Sequence, residues 1–280
     1  MNASIAEFLE AMPQLEASLL KLYLVSLCII LAEIVVDFCF RKPRDYRETA
    51  ANLGVGIIQS LLSESLANIV AFVGLSLIAS ISPFKIPISS WTVLLSVFIA
   101  DFLYYWNHRL EHQIRFFWAY HSVHHSSTDF NLTVAVRLAW IEEYNLWIFY
   151  ITMVLIGFQP LQVLISIAIV GLYQVWIHTQ KIGRLGILDS IFNTASNHRV
   201  HHGANELYIG KNYGGILILW DQLFGTYQAE TERAIYGLTK NINTHNPIKI
   251  NTVGYRQIVT DLQRSQTLKE RFLSLFGTRE

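Results

Sequence analysis

The chain has 280 residues, no net charge at pH 7 and only two cysteines, Cys28 and Cys39. It is 52% hydrophobic and 15% charged, whereas soluble domains carry about 25% charged residues. The balanced charge gives no electrostatic basis for binding nucleic acid, and the two cysteines exclude a disulfide framework and a cysteine-based metal site. The composition therefore predicts an all-α membrane protein whose apolar residues lie in spanning helices.

Five apolar runs have roughly the 20 residues that a membrane-spanning helix needs. They cover residues 18–40, 53–81, 91–107, 139–157 and 160–178. Polar residues interrupt the second run, so the pattern predicts a multi-pass helical bundle of about four or five spans.

Basic residues in the loops predict the orientation of these spans, because cytoplasmic loops of membrane proteins are rich in lysine and arginine. The loop after the first run carries such residues between Arg41 and Arg47, and the next loop carries only Lys85. The first loop is therefore predicted to be cytoplasmic. Counting spans from there places residues 108–138 and 179–280 on the same side, where they would form a cytoplasmic helical cap.

Nine of the ten histidines follow the ends of apolar runs, in three clusters and one single residue. The nine are His108, His112, His121, His124, His125, His178, His198, His201 and His202. Residues three or four apart share one face of a helix, so each cluster can direct two imidazoles at one point. Neutral imidazole is a common metal ligand, and the set exceeds what one four-coordinate ion needs. The pattern therefore predicts a site for two metals on the cytoplasmic face.

Carboxylates near the clusters are candidates for orienting the imidazoles, because metal-bound histidines usually donate their second N–H group to a carboxylate or a carbonyl. Asp101 lies two helical turns before His108, Glu111 adjoins the second histidine, and Asp221 follows the third cluster. Of Glu142 and Glu143, one is expected to reach the site and the other to face lipid headgroups. Glu143 is the predicted partner, and ordinary salt bridges to arginines are the alternative for all these carboxylates.

The order and surroundings of the clusters resemble the fatty acid hydroxylase superfamily, which includes sterol desaturases and methyl oxidases. The matching segments are Asp101–Arg109, His121–Ser127 with Asn131, Asn197–Gly203 with Asn205, and Asn212–Tyr227. Together with Trp176–Thr179, they are nearest to the alkylglycerol monooxygenase-like and bacterial sterol desaturase-like branch. The resemblance covers residues 95–228, as a catalytic domain between N-terminal membrane helices at 1–94 and a polar C-terminal tail at 229–280.

The resemblance implies a membrane-bound, non-haem di-iron oxidoreductase that hydroxylates or desaturates a fatty acyl chain, an ether lipid or a sterol-like lipid. The nine histidines would hold two iron ions, O₂ would be the co-substrate, and an external pterin or protein would donate electrons. Asn205 would be a weak or water-mediated contact of the site, and Asp129 a supporting carboxylate. Asp129 follows Thr128, which stands where the branch often has an acidic residue.

Two other functions are compatible with the same residues. A membrane zinc hydrolase would hold zinc with histidines and use a carboxylate such as Glu111 as its base. A non-enzymatic carrier would pass metal ions along ligands inside its spans. Zinc enzymes keep three or four protein ligands, and the histidines here lie beyond the ends of the spans, so both alternatives are disfavoured. The chain has no haem-attachment, flavin or iron–sulfur motif, so the reductant is predicted to be a separate partner.

Overall fold

The structure, a computed structural model, describes residues 21–22 and 24–278 of the chain. Its internal contacts divide the chain into two compact units, Met1–Arg44 and Asp45–Glu280. All regular secondary structure in the described residues is helical, apart from three isolated β-bridges. The prediction of an all-α chain is therefore confirmed, and the division at residues 94 and 228 stays a prediction.

In the first unit, residues 24–39 form helix α1. Arg44, in the loop after this helix, donates hydrogen bonds to the carboxylates of Asp37, at 2.6 Å, and Glu33, at 3.2 Å. These ion pairs are buried, so a basic residue of the following loop neutralises two acidic side chains of the first apolar run. Residues 18–20 and 23 of that run lie outside the described residues.

The second unit is built from short and long α-helices, joined by 3₁₀ segments and one π-helical turn. The α-helices are α2 Tyr46–Gln59, α3 Ser65–Ile81, α4 Ser90–Gln113, α5 Arg115–His125, α6 Glu142–Leu146, α7 Ile151–Leu155, α8 Pro160–Ile177, α9 Ala195–His201, α10 Leu219–Leu223, α11 Pro247–Arg264 and α12 Leu268–Phe276. The 3₁₀ segments are Leu132–Val136, Trp147–Tyr150, Gly186–Ser190 and Glu206–Tyr208, and the π-helical turn is Ser60–Glu64. Local sequence sets the starts of the two longest apolar helices: Ser89 and Thr92 form a capping box before α4, and Pro160 opens α8.

Helices α4 and α8 lie side by side and run in the same direction. Near their first turns, the Gln162 side chain donates a hydrogen bond to the Thr92 carbonyl at 2.8 Å. One turn later, the hydroxyls of Ser166 and Ser96 are hydrogen bonded at 2.8 Å. Each α4 residue therefore lies level with the α8 residue 70 positions later, as 92 with 162 and 96 with 166. This register brings residues 108 and 178, where the two apolar stretches end, to the same end of the bundle.

Two apolar clusters hold the helices that carry histidines. The larger one packs α3, α4, α7 and α8 together through Leu75, Ala100, Tyr150, Met153, Val154, Phe158, Val163 and Val170. The second joins α2, α5 and α11 through Ala51, Val55, Tyr120, Val123, Ala139 and Ile250. The first cluster fixes α4 against α8, and the second fixes α5, so the two clusters together position three of the histidine-bearing segments.

Within the part of the chain that the structure describes, α8 is the one helix that is long and apolar enough to cross a membrane by itself. A bent pair, Tyr46–Ser63 with Ser65–Ile81, meets the same criterion as a single span and changes direction by 50°. Both judgements rest on length and composition alone. The number of spans, and the cytoplasmic position of the cap, stay predictions.

The run at 139–157 does not form the single helix that its apolar residues predict. Helix α6, a 3₁₀ segment and α7 together cover only residues 142–155, and Gly157, with a φ of 111°, turns the chain toward α8. About 14 helical residues span roughly 21 Å, which is less than a hydrocarbon core of about 30 Å. The periodicity of the run did not reveal this break, because every residue across it is compatible with a helix.

Candidate metal centre

The structure brings all nine clustered histidines together at the common end of α4 and α8. Two project from α4, three from α5, three from α9 and the residue after it, and one from the residue that follows α8. Eight of the nine are buried, and His112 is half-buried. The remaining histidine, His245, is 46% exposed and lies beside Glu48 instead.

The nine imidazoles form two groups, and within each group one ring nitrogen of every histidine lies within 4.8 Å of the others. The five-histidine group consists of His108, His112, His121, His125 and His201. The four-histidine group consists of His124, His178, His198 and His202. The clusters His121–His125 and His198–His202 are divided between the groups in the same way. In each cluster the first and last histidines, four residues apart, belong to one group, and the histidine between them belongs to the other. Residues four apart differ by about 40° around a helix, whereas adjacent residues differ by about 100°.

Nitrogens within each group are separated as ligands of one ion would be. The Nε2 atoms of His108 and His121 are 3.0 Å apart, and those of His178 and His198 are 2.9 Å apart. Two imidazoles bound to one ion through bonds of about 2.1 Å lie about 3.0 Å apart at a right angle and about 3.4 Å apart at a tetrahedral angle. The observed spacing therefore matches a shared ion.

A hydrogen bond on the outer nitrogen of His108 shows that its inward-facing nitrogen carries a lone pair. Nδ1 of His108 donates to the Tyr213 carbonyl at 2.9 Å, and Nδ1 of His121 lies 3.3 Å from Oε2 of Glu111. A neutral imidazole has a single ring proton, so the proton on Nδ1 of His108 leaves its Nε2 atom as an acceptor whose lone pair faces the other imidazoles. The donor set therefore fits a metal ion that imidazole binds, such as iron, copper or zinc.

Backbone carbonyls orient two further histidines, and sequence analysis did not identify them. Nδ1 of His178 donates to the Gln174 carbonyl at 2.6 Å, and Nδ1 of His201 donates to the Lys211 carbonyl at 3.1 Å. Gln174 lies in the last turn of α8, where carbonyls have no partner within the helix. A histidine directly after the predicted end of an apolar helix is therefore a usable signal for the first contact. The second depends on tertiary structure and has no local signature.

Burial keeps the imidazoles in the form that binds metal. Desolvation lowers the pKa of six of them, and repulsion from neighbouring histidines lowers it further: His108, His124, His125, His198, His201 and His202. These six imidazoles are therefore neutral at pH 7, and a metal does not have to displace protons from them. Glu111 responds in the opposite direction, because burial, and then the nearby Glu142, raise the pKa of its carboxyl group.

Glu111 and Glu142 are the carboxylates that the structure brings to a histidine. Oε1 of Glu111 accepts a hydrogen bond from Asn107 at 3.0 Å, which leaves its second oxygen beside Nδ1 of His121. Oε1 of Glu142 lies 3.7 Å from the same nitrogen. Glu143, which was predicted to reach the site, accepts a hydrogen bond from the Gln59 side chain at 3.4 Å. Adjacent helical residues point about 100° apart, so the contact of Glu142 with His121 does not extend to Glu143, whose role stays a prediction.

Asp221 acts on the site through the backbone. Its two carboxylate oxygens accept hydrogen bonds from the N–H groups of Tyr213 and Gly214, both at 2.7 Å. This pair of contacts holds the turn whose carbonyl receives the Nδ1 proton of His108. Asp221 therefore positions the acceptor of a histidine rather than the histidine itself.

The other three predicted supporting residues form hydrogen bonds with backbone groups and with side chains other than imidazoles. Asp101 accepts hydrogen bonds from the backbone N–H groups of residues 216–217 and from an indole N–H group. Asp129 accepts from the N–H group of Asp45 at 2.9 Å. The Asn205 side chain is bonded to a neighbouring loop through both its amide nitrogen and its oxygen. Asp101 was predicted from its position before His108, and Asp129 and Asn205 from the resemblance; neither basis determines where a side chain points.

Comparison with known families agrees with this arrangement. The model of the fatty acid hydroxylase family matches residues 93–226, a segment that includes all nine histidines of the two groups. The chain therefore carries a fatty acid hydroxylase family domain, as its histidine clusters and their surroundings predict.

Within that family the chain is similar to alkylglycerol monooxygenases, which confirms the predicted branch. It is 39% identical to the Homo sapiens enzyme over 225 residues, which are 79% of this chain and 50% of the relative. It is 47% identical to the Xenopus tropicalis enzyme over 162 residues, 58% of this chain and 36% of the relative. An ornithine lipid hydroxylase of Rhizobium tropici is 34% identical over 140 residues, 49% of this chain and 42% of the relative. The chain thus spans half or less of the length of these relatives, and no solved structure matches it.

Proposed function

We propose that this protein is a membrane-bound, non-haem di-iron oxidoreductase that uses O₂ to hydroxylate a lipid. The observation that carries the proposal is the convergence of nine imidazoles in two adjacent groups of five and four. Relatives named alkylglycerol monooxygenase and ornithine lipid hydroxylase support oxygen insertion as the reaction and a lipid as the substrate.

Each histidine group would hold one iron ion, and the two ions together would supply two electrons to O₂ for the oxidation of an unactivated C–H bond; an external reductant would restore these electrons after each turnover. The residues of the chain keep the imidazoles ready for this role. The carbonyls of Gln174, Lys211 and Tyr213 accept the Nδ1 protons, which leaves each opposite Nε2 free to bind. Burial of eight of the nine histidines keeps bulk water away from the ligands.

A lipid would reach this centre from the bilayer. Helix α8 is apolar enough to span a membrane, and its C-terminal end is the point at which the four-histidine group begins. The parallel helix α4 ends at the five-histidine group, so the apolar stretches of both helices lead to the same place. The centre would then lie at the cytoplasmic face of the membrane, as basic residues in the loops predict.

The two alternatives fit this geometry less well. A zinc hydrolase needs one group of three or four ligands, and here two complete groups lie side by side. A metal carrier needs ligands distributed along a path, and all nine imidazoles lie at one end of α4 and α8. Desaturation and hydroxylation both begin with abstraction of a hydrogen atom. The product distinguishes them, since one gives a double bond and the other a hydroxyl group.

The decisive experiment combines metal analysis with lipid analysis. The full chain is purified without oxygen, its iron and zinc are measured, and cells with and without the gene are compared for lipid composition under air and under nitrogen. We expect about two irons per chain and a hydroxylated lipid that forms only under air. His178→Ala is the inactive control and His245→Ala the matched active one, since His245 lies outside both groups.

One zinc and no iron, with an oxygen-independent lipid change, would support the hydrolase instead. An oxygen-dependent double bond in place of a hydroxyl group would identify desaturation. An unchanged lipid profile in cells that contain the iron-loaded protein would refute lipid oxidation.

A further inference from the structure

We propose that residues 185–191 and 219–223 form an apolar wedge that inserts into the hydrocarbon of the membrane beside α4. Its exposed apolar side chains are Leu185, Ile187, Leu188, Ile191, Leu219 and Leu223. Ile187 is 77% exposed and Leu223 69% exposed, and a contiguous apolar patch of this kind marks an interaction surface. Both segments lie in the region 179–280, which the loop charges assign to the cytoplasm as a whole.

The two segments of the wedge form one surface. The backbone N–H group of Ile218 donates to the Ile191 carbonyl at 3.1 Å, and the Gln222 side chain donates to the Ser190 carbonyl at 2.8 Å. The N–H group of Asn193 donates to the Ile216 carbonyl at 2.8 Å. The bond from Gln222 to Ser190 joins the two segments directly, and the other two bonds involve residues that flank them.

The packing of Trp220 places the wedge at membrane depth. Its ring centroid lies 5.2 Å from that of Phe98 and 5.1 Å from that of Phe102, both on α4. Because each α4 residue lies level with the α8 residue 70 positions later, Phe98 and Phe102 lie level with residues 168 and 172 of α8, which is long and apolar enough to span a membrane. At about 1.5 Å per residue, the wedge contacts α4 about 8–14 Å below the end of α8.

Asp101 ties the wedge to that depth. A carboxylate within an apolar helix is costly unless it has partners. The partners of Asp101 are the N–H groups of Ile216 and Leu217 and the indole N–H of Trp220, at distances between 2.5 and 3.1 Å. Trp220 belongs to the wedge, and Ile216 and Leu217 lie just before its second segment, so moving the wedge away from α4 would leave the carboxylate buried and unpaired.

The composition of the wedge identifies lipid as its occupant. The six exposed apolar side chains are all aliphatic, and the exposed polar ones, Ser190 and Gln222, are hydrogen bonded within the wedge. Phe98, which packs against Trp220, is about half exposed on α4. Lys181 and Arg184 are exposed just before the wedge, where they would meet anionic headgroups. The proposal rests on the proposed function only in assuming that α8 crosses a membrane.

Fluorescence quenching by brominated lipids tests the wedge in the full chain. Cys28 and Cys39 are first replaced by serine, and single cysteines for a bimane label are introduced as Ile187→Cys and Leu223→Cys. Gln263→Cys, at an exposed position of α11, is the matched control. The proteins are reconstituted in vesicles of phosphatidylcholine and phosphatidylglycerol with bromine on the acyl chains. We expect quenching at positions 187 and 223 to be several-fold greater than at position 263.

Equal quenching at the three positions would overturn the proposal. Quenching that disappears when the protein is diluted in the bilayer, together with disulfide cross-links between chains, would assign the surface to a second copy and overturn it as well. Lys181→Glu with Arg184→Glu should reduce quenching at 187 in anionic vesicles and leave it unchanged in neutral ones. The readout needs neither iron nor turnover, so strong quenching in a chain that does not oxidise lipid would support the wedge and refute only the proposed reaction.

Discussion

Removing one imidazole from the four-histidine group tests how the ligands are divided between two metal ions. His178→Ala leaves three ligands in that group and all five in the other. His112→Ala leaves four ligands in the five-histidine group, which is still enough for a four-coordinate ion. We therefore expect His178→Ala to retain about one iron per chain and His112→Ala to retain about two.

The ligand count gives the size of the effect. A structural site with four protein ligands binds its ion with about 10–16 kcal/mol, so one ligand of four corresponds to about 3–4 kcal/mol. That loss weakens binding by about 100- to 1000-fold. Dialysis against a chelator of intermediate affinity should then remove the ion from the four-histidine group of His178→Ala and leave the other ion in place.

Iron content by mass spectrometry, with Mössbauer spectra of ⁵⁷Fe-loaded protein, measures the outcome. Loss of one ion should leave a mononuclear spectrum without magnetic coupling. His245→Ala is the control, because its imidazole lies outside both groups, 3.4 Å from Glu48. If His178→Ala and His112→Ala lost iron to the same extent, the division into groups of five and four would be refuted.

Three further predictions concern the supports of the site and its orientation. Asp221→Asn should loosen the turn at Tyr213, whose carbonyl accepts the Nδ1 proton of His108, and so reduce activity or iron affinity by about 10- to 100-fold. Equal values for the variant and the wild type would contradict this. Glu142→Gln should show a loss of about the same size, whereas Glu143→Gln should change activity less than twofold; iron titration and turnover measure both, and a reversed order would refute the geometry. For topology, an impermeant thiol reagent should label Lys85→Cys in intact cells and Gln263→Cys only after permeabilisation, and the opposite pattern would invert the orientation.

The clustering of the nine histidines could be predicted from the sequence because it depends on their spacing along helices. Spacings of three and four residues on a helix, placed after apolar runs, determine which side chains share a face. The division into two groups follows from the angle at which each histidine projects from its helix. In His121–His125, the outer two residues differ by about 40° around the helix and enter one group, while His124 is turned to the other.

The supports of the site could not be predicted in the same way, because most of them are backbone groups. The path of a loop brings the carbonyls of Lys211 and Tyr213 to their histidines. Every residue has a backbone carbonyl, so the sequence does not indicate which ones will contact an imidazole. For Asp101, proximity in sequence suggested a contact that the structure does not show. Its position two turns before His108 suggested a contact with the imidazole, yet its partners lie 115 or more residues away in sequence.

The break at residues 142–155 has a similar cause. The apolar run from 139 to 157 has the composition of a span, but Glu142 lies beside His121 and the Trp147 ring packs against Gly74, where a β-carbon would come within 2.5 Å of it. These contacts with two other segments decide the local backbone, and neither is encoded in the periodicity of the run.

The shared register of α4 and α8 makes the distance between the two metal sites a property of the whole helix pair. His108, at the end of α4, belongs to one group, and His178, just after α8, belongs to the other. The hydrogen bonds that set the register, at Thr92 and Ser96, lie about 18–24 Å away along α4. A substitution there that lets one helix slide along the other would change the spacing of the metals without touching a ligand. Polar side chains near the opposite end of the two helices would thus adjust how the two proposed ions cooperate.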